Sequence, residues 1–227
     1  RRSTFKMISI NETHILNYKT GVPYPYVLID DCLPELQYEE ISNHFYSFDD
    51  QIWHAKGVDF ESEYGNKKQI YDTEYMPSSV SNLINFLSSR LFISQLERMT
   101  GQNIKCANLY GGGMNMYSSG TELKPHVDFN FNSKINSYRC INLLYYINSK
   151  DLVGGDLELW DLDQKNKTVI EPLGNRMVIF ETNSKTLHGV TMIKKGYRRS
   201  ISIYYYTDSP SKQLHTKPHR TLWRDNE

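Results

Sequence analysis

The sequence has few cysteines, no long hydrophobic run and no excess of charge of either sign. Its 227 residues include three cysteines, Cys32, Cys106 and Cys140, an odd number without a CxxC pair. A disulfide framework and a cysteine-rich zinc site are therefore not expected. We expect a reducing, cytoplasmic location instead. No apolar run approaches the ~20 residues that a membrane span needs. Basic and acidic residues balance at 26 each, which disfavours nucleic acid as a partner.

Tyrosine and phenylalanine are abundant instead, with 17 and 9 residues, and most of them lie in short β-like runs. Two segments predict helices. The first covers 31–45, and the second covers 78–98, where apolar residues recur every three or four positions and serines can cap the ends. Polar composition predicts loops at 49–75, 130–137 and 149–155, and the first two are expected to face substrate.

From residue 104 onward, short apolar runs are separated by Gly, Asn, Asp and Pro, a pattern that predicts strands. A glycine triplet between the first two runs is expected to form a bulge. The predicted strands cover 104–110, 113–118, 123–129, 138–148, 156–161, 167–171, 176–181, 186–192 and 198–207. Helices followed by these strands indicate a mainly β fold, a sandwich or barrel supported by N-terminal helices. We expect a single domain over 1–227, with support and substrate loops at 1–103, the β core at 104–207 and a tail at 208–227.

Two histidines and an aspartate have the spacing of a metal site. His126-Val127-Asp128 lies in a predicted strand, so alternation directs His126 and Asp128 to the same face. His188 ends another predicted strand. Two imidazoles and one carboxylate on one side of a metal leave three positions open, as in the facial triad of non-haem Fe(II) oxygenases. For this motif alone, a surface histidine beside a solvated aspartate is the alternative.

A second signal lies ten residues after His188, where the next predicted strand begins. Alternation places Arg198 and Ser200 on one face of this strand and Arg199 on the other. An arginine that points into a barrel carries a buried charge that needs an anion. A dicarboxylate suits it, because a guanidinium binds a carboxylate through two parallel hydrogen bonds. An exposed arginine pair on an edge strand is the alternative.

The order and spacing of these residues resemble the 2-oxoglutarate- and Fe(II)-dependent oxygenases, and within them the prolyl 4-hydroxylases. The resemblance covers 104–207 well and 21–45 more loosely. The matching stretches are Pro23 to Asp31, Asn115 to Asp128, Arg139 to Asn148, Gly154 to Leu157, Ile170 to Phe180 and His188 to Arg198. It implies a double-stranded β-helix, or jelly roll, with the metal held at its mouth.

The resemblance also implies roles for individual residues. By position, His126, Asp128 and His188 are similar to the family's iron ligands, and Arg198 is similar to the partner of the distal carboxylate of 2-oxoglutarate. Four more residues are expected near the co-substrate: Tyr117, Tyr146, Ser200 and Asn142. The alternative for both tyrosines is an ordinary core aromatic with a satisfied hydroxyl.

The implied activity is that of a 2-oxoglutarate-dependent dioxygenase, which hydroxylates an unactivated C–H bond and releases succinate and CO2. Its cofactors would be Fe(II), 2-oxoglutarate and O2, with ascorbate as a candidate reductant. Asp128 favours hydroxylation, because related halogenases lack this carboxylate. The leading substrate is a prolyl residue of a peptide or protein, or free proline. A sugar, an amino acid or another small metabolite is the alternative.

The same residues leave three other functions open. One is a jelly-roll binding module that has lost the chemistry, and another is a cupin-like enzyme that uses a different divalent metal without 2-oxoglutarate. A nucleic-acid demethylase has less support, because Tyr204 stands where such enzymes usually carry a second arginine. Neither a membrane nor a nucleic acid is expected as a partner, and the sequence leaves the oligomeric state open.

Overall fold

A computed structural model describes residues 8–62, 65–210 and 217–224. Its helices are α1 (Glu12–Thr20), α2 (Glu35–His44), α3 (Ile52–Lys56), α4 (Ser78–Leu87) and α5 (Arg90–Thr100), with a 3-10 turn at Thr73–Tyr75. Its strands are β1 (Tyr26–Ile29), β2 (Val58–Ser62), β3 (Gly65–Ile70), β4 (Cys106–Ser118), β5 (Leu123–Val127), β6 (Phe131–Asn132), β7 (Ser137–Tyr146), β8 (Val153–Gly154), β9 (Leu157–Trp160), β10 (Lys167–Ile170), β11 (Met177–Glu181), β12 (Leu187–Val190), β13 (Ile193–Lys195), β14 (Tyr197–Thr207) and β15 (Leu222–Trp223).

Two antiparallel sheets pack against each other. The large sheet has the strand order β1-β11-β7-β14-β4-β3-β2, with β6 also paired to β7, and the small sheet has the order β10-β9-β12-β5-β15. Their inner faces share one apolar cluster, formed by Leu144, Tyr146, Leu157, Leu159, Ile170, Val178 and Phe180. This arrangement confirms the prediction of a mainly β fold built from two sheets.

The outer face of the large sheet carries the helices. Successive side chains of β7 alternate, so Leu143 and Tyr145 face the helices while Leu144 and Tyr146 face the small sheet. Helices α4 and α5 bury their apolar stripes in the outer cluster, and each fully buried Leu or Ile contributes about 2 kcal/mol. The helices therefore stabilise the large sheet from outside and leave its inner face for a site.

The predicted helix at 78–98 is wrong in one respect, because it is two helices. Ser88 ends α4, and Ser89 takes an extended conformation with ψ 154° while its hydroxyl accepts a hydrogen bond from the N–H of Phe92. A serine that caps a new helix competes with continuation of the old one. The break also turns Leu91 outward, where 52% of it is exposed.

The predicted loop at 49–75 is also wrong. It contains α3, the 3-10 turn and a hairpin of β2 and β3, of which residues 63–64 lie outside the described residues. Strand β3 pairs with β4 and so extends the large sheet, and Gln69 is buried there despite its polarity. Polar composition predicted a loop here, but pairing with the neighbouring strand β4 makes this segment a strand. The region 1–103 therefore supplies strands as well as helices, and its separation from the core remains a prediction.

The strands predicted at 104–110 and 113–118 form one strand, β4. The glycine triplet lies within it, and the register against β14 shifts between Ser202 and Tyr204, as expected for a bulge. Gly113 has φ 82°, and a Cβ at this position would collide with the carbonyl oxygen of Ile70. Glycine is required here because the neighbouring strand β3 approaches closely.

Outside 49–75, six elements are absent from the prediction: α1, β1, β6, β8, β13 and β15. The short strands β6 and β8 lie in the predicted loops 130–137 and 149–155. Helix α1 has a signal in the sequence, a capping box. The Asn11 side chain accepts a hydrogen bond from the N–H of His14, and Nδ1 of His14 accepts one from the N–H of Asn11. Strand β15 lies in the predicted tail and has no sequence signal of its own. Residues 211–216 and 225–227 of that tail lie outside the described residues.

Candidate metal centre

Two neighbouring strands of the small sheet carry the three predicted metal ligands. Strand β5 holds His126 and is followed at once by Asp128, and β12 holds His188. The register pairs His188 directly with His126, and their ring centres lie 4.5 Å apart. One ligand atom from each of the three residues lies within 4.8 Å of the others. Antiparallel pairing thus brings together residues that are far apart in the sequence.

Each imidazole is oriented by a hydrogen bond at Nδ1. In His126 this nitrogen lies 2.8 Å from the carbonyl oxygen of Lys124, and in His188 it lies 3.1 Å from that of Thr186. A carbonyl oxygen can only accept, so Nδ1 donates and Nε2 keeps its lone pair. The two Nε2 atoms lie 3.7 and 3.6 Å from the carboxylate oxygens of Asp128. Metal-binding histidines are typically held in this way, so the donor set fits Fe(II).

The protonation states of Asp128 and His188 suit metal binding. Burial acts to raise the pKa of Asp128, but Arg139 and the two imidazoles outweigh it and hold that pKa at about 2. Burial lowers the pKa of His188 to about 4, with Asp128 acting in the opposite direction. At neutral pH the carboxylate is therefore ionised and the His188 imidazole is neutral. Both groups are in the protonation state that a metal ligand needs.

Arg139 was not predicted as a site residue, but it contacts one. Its side chain is fully buried, and Nη1 donates a hydrogen bond to Asp128 at 2.7 Å. The guanidinium lies between the rings of Phe129 and Tyr204, 3.9 and 3.5 Å from their centres. Within the described residues, Nε and Nη2 make no hydrogen bond of good geometry. The available signal was an arginine at the start of an otherwise apolar strand.

The predicted anion-binding arginine lies on β14 of the large sheet. Arg198 is 3% exposed, and it donates from Nε to the carbonyl oxygen of Gly155 at 2.8 Å and from Nη2 to the hydroxyl of Tyr146 at 3.0 Å. No carboxylate in the described ranges forms an ion pair with it. Arg199 points to the opposite face and donates to Ser42. Arg198 is thus a buried cation whose counter-charge is missing from its surroundings, which is a suitable place for an anion.

The remaining predicted residues lie in two places. Tyr117 is opposite Arg198 in the β4–β14 pairing, with its ring centre 6.0 Å from the guanidinium carbon. Ser200 is buried and lies opposite Tyr146. Asn142 lies at the other end, where its Nδ2 is 3.5 Å from Asp128. The structure therefore groups Tyr117 and Ser200 with the arginine, and it groups Asn142 with the metal ligands.

A narrow cavity lies beside the buried arginine. It is lined by Tyr117, Thr121, Glu122, Leu123, Val190, Ile193 and Arg198. Two of these residues belong to the ligand strands, since Leu123 opens β5 and Val190 closes β12. The cavity therefore brings Arg198 and Tyr117 next to the two strands that carry the histidines, although its lining does not include the histidines themselves.

The fold has two packed sheets and carries a His-Asp-His cluster that could hold a metal ion, and known families show similar sequences and folds. Residues 112–206 match the 2OG-Fe(II) oxygenase superfamily. Prolyl 3-hydroxylase 2 of Gallus gallus is 30% identical over 79 residues, which make up 34% of this chain and 11% of the relative. The chain thus spans about a tenth of the length of that curated relative. The predicted resemblance to this superfamily, and to its prolyl hydroxylases, is confirmed.

Solved structures support the same fold. A prolyl-4-hydroxylase of Pseudomonas putida superposes with a TM-score of 0.62 at 11% identity, covering 87% of this chain and 98% of the other. A prolyl hydroxylase of Trichoplax adhaerens, solved with a peptide fragment of the hypoxia inducible factor, superposes with a TM-score of 0.55 at 18% identity, covering 85% and 87%. These likenesses confirm the predicted double-stranded β-helix.

The match to the 2OG-Fe(II) oxygenase superfamily agrees with the predicted enzyme class and with Fe(II) and 2-oxoglutarate as cofactors, and His126, Asp128 and His188 could hold a metal ion. The role of ascorbate stays a prediction. Among the described residues, no helix combines the length and apolar character needed to cross a bilayer.

Proposed function

We propose that this chain is a dioxygenase that hydroxylates a prolyl residue of a peptide or protein, or free proline. In the overall reaction, one atom of O2 becomes the hydroxyl group on the substrate carbon. The other atom enters succinate, which forms from 2-oxoglutarate with release of CO2. The observation that carries the proposal is a His-Asp-His cluster on the small sheet together with a buried arginine on the large sheet, Arg198, which forms no ion pair with a described carboxylate.

The residues of the chain would bind and orient the reactants. His126, Asp128 and His188 would hold Fe(II), which supplies the activation of O2 and the oxidation of the C–H bond when bound. Arg198, supported by the hydroxyl of Tyr146, would bind the distal carboxylate of 2-oxoglutarate. This contact would orient the co-substrate with its keto-acid end toward the metal ligands.

Aromatic rings near Asp128 favour a substrate with an apolar ring. Phe129 and Tyr204 flank the buried guanidinium of Arg139, which donates to Asp128. The pyrrolidine ring of a prolyl residue can pack against such rings. The likeness to prolyl hydroxylases, one of them with a bound peptide, agrees with this substrate class.

An anaerobic titration tests the metal and co-substrate. Fe(II) is added to the metal-free protein and followed by 2-oxoglutarate, and we expect the weak visible absorption of the ternary complex. The band should be absent in Asp128→Ala. If the properly reduced wild-type protein gives no band, the proposal fails.

Product analysis tests the substrate. Proline-containing peptides, free proline, other amino acids and sugars are incubated separately with Fe(II), 2-oxoglutarate and air, and mass spectrometry reports the gain of one oxygen atom. We expect hydroxylation of proline or prolyl peptides in proportion to succinate formed. Hydroxylation confined to the sugars or other amino acids would contradict the prolyl assignment and leave the reaction class in place.

A further inference from the structure

A short C-terminal strand lies along the strand that carries His126. Residues 217–224, here named the C-terminal strap, end in β15, which pairs with β5 at the open edge of the small sheet. In this pairing Trp223 lies opposite His126 and Leu222 lies opposite Val127. Paired residues project to the same face of a sheet. The indole of Trp223 therefore lies on the face that carries the metal ligands, and Leu222 lies on the other.

The strap is also held by the loops next to the ligand strands. Asn130, two residues after Asp128 and fully buried, accepts a hydrogen bond from the N–H of His219 at 2.9 Å and donates one to the carbonyl oxygen of Lys217 at 3.3 Å. The hydroxyl of Ser184, in the loop before β12, lies 3.1 Å from Nε2 of His219. A buried asparagine that bonds to the strap backbone in two places fixes its position.

Four aromatic rings form a row across the centre. The order is Phe180, His188, His126 and Trp223, and successive ring centres are 5.2, 4.5 and 4.6 Å apart. At one end Phe180 is fully buried in the core between the sheets. At the other end Trp223 is 56% exposed, whereas His126 is 7% exposed. One imidazole is thus held by the core and the other by the strap.

We propose that Trp223 is a positioning residue for His126, an inference that rests on the proposed metal centre. The bond from Nδ1 to the carbonyl oxygen of Lys124 fixes one edge of the imidazole but leaves the ring free to tilt about it. The indole against the outer face of the ring removes that freedom and keeps water away. Nε2 therefore stays directed at the metal, as outer-shell contacts do for metal-binding histidines.

Co(II) titration of the full chain tests this inference without any turnover. Co(II) takes the same nitrogen and oxygen donors as Fe(II). Calorimetry should give an affinity about tenfold weaker for Trp223→Ala than for the wild-type protein. Trp223→Phe, which keeps an aromatic ring, should restore most of the loss. Leu222→Ala is the matched control from the other face of the strap and should bind Co(II) like the wild-type protein.

The outcomes separate the inference from the proposed function. Wild-type affinity in Trp223→Ala overturns the positioning role and leaves the metal centre in place. An equal loss in Leu222→Ala also overturns it, because the effect would then belong to the strap as a whole. Failure of the wild-type protein to bind Co(II) would instead remove the metal centre itself.

Tryptophan fluorescence covers the case in which Trp223→Ala does not fold. Co(II) quenches nearby indoles, and Trp223 lies against a proposed ligand. We expect Co(II) to quench a fraction of the wild-type emission that is absent in Trp223→Phe, while Leu222→Ala keeps it. Equal fractional quenching in the wild-type protein and Trp223→Phe would show that the indole is not at the metal and would overturn the inference.

Discussion

Two buried arginines flank the candidate site, and they differ in what neutralises them. Arg139, on β7, donates to the carboxylate of Asp128 at 2.7 Å. Arg198, on β14, donates to a backbone carbonyl and to the hydroxyl of Tyr146, which carry no formal charge. Both side chains are at most 3% exposed. The fold therefore compensates the first charge internally and leaves the second to be compensated by a ligand.

This difference indicates that the two arginines have different roles. An arginine with a buried partner holds that partner in place, and removing either one leaves an uncompensated charge. An arginine that has only neutral partners destabilises the empty protein slightly and gains when an anion arrives. In the proposed function, Arg139 would therefore hold Asp128 of the metal centre in place, and Arg198 would bind the co-substrate. Each of the following predictions tests this division.

The largest effect is expected for Asp128→Ala, which removes a metal ligand and the partner of Arg139 together. We expect loss of metal binding and of hydroxylation. We also expect a free energy of unfolding lower by about 3–5 kcal/mol, because a buried guanidinium loses its counter-charge. Co(II) titration and urea unfolding measure the two effects.

Asp128→Asn is the control, because its amide oxygen can still accept from Arg139. It should lose the metal but keep more of the stability than Asp128→Ala. Equal destabilisation by both substitutions would contradict the importance of the Arg139 contact, and metal binding by Asp128→Ala would contradict the ligand set.

The two arginines should differ in their effect on the empty protein. Arg139→Met leaves Asp128 buried without its partner and should lower the free energy of unfolding by about 3–5 kcal/mol. Arg198→Met removes a charge that had no counter-charge and should change stability by less than about 1 kcal/mol, or increase it. Urea unfolding at pH 7 without metal or 2-oxoglutarate makes the comparison. Similar losses in both variants would abolish the distinction.

The same Arg198→Met variant should show its effect in binding. Loss of the charge-assisted contacts should weaken 2-oxoglutarate binding by about 2–4 kcal/mol, roughly 30- to 900-fold. Arg199→Ala is the matched control, because Arg199 lies next to Arg198 in the strand but points to Ser42 on the opposite face. Isothermal titration with 2-oxoglutarate on the metal-loaded protein, without O2, measures both. Unchanged affinity in Arg198→Met together with a loss in Arg199→Ala would move the anion site to Arg199.

The sequence predicted the strands better than the segments between them. Alternating apolar residues determine which face of β7 or β14 is buried, so the β core and the opposite orientations of Arg198 and Arg199 could be predicted. The hairpin of β2 and β3 could not, because Gln69 is buried by pairing with β4 rather than by its own polarity. Such pairing depends on residues far away in the sequence.

The same limit applies to the candidate site. His126, Asp128 and His188 have a spacing that carries information, and the structure brings them together. No such spacing marks Trp223, because its contact with His126 depends on a strand of only two residues, which is too short to show a hydrophobic period. Arg139 could be predicted in part. Its burial could be predicted from the apolar strand around it, but its partner Asp128 could not.

The smallest effect is expected for a third arginine, which has a carboxylate partner near the surface. Arg176 donates to both carboxylate oxygens of Asp30, and these bonds lower the pKa of Asp30. Arg176→Ala should lower the free energy of unfolding by only about 0.5–1 kcal/mol at pH 7, because the Asp30 side chain is 55% exposed and solvent screens the pair from that side. A lowered carboxyl pKa stabilises the fold above the ordinary aspartate range, and the gain is lost as the pH falls through the lowered value. The difference in free energy of unfolding between Arg176→Ala and the wild-type protein should therefore shrink in acid and in 1 M salt. A loss of stability as large as that of Arg139→Met would show that burial does not determine how much these arginines contribute.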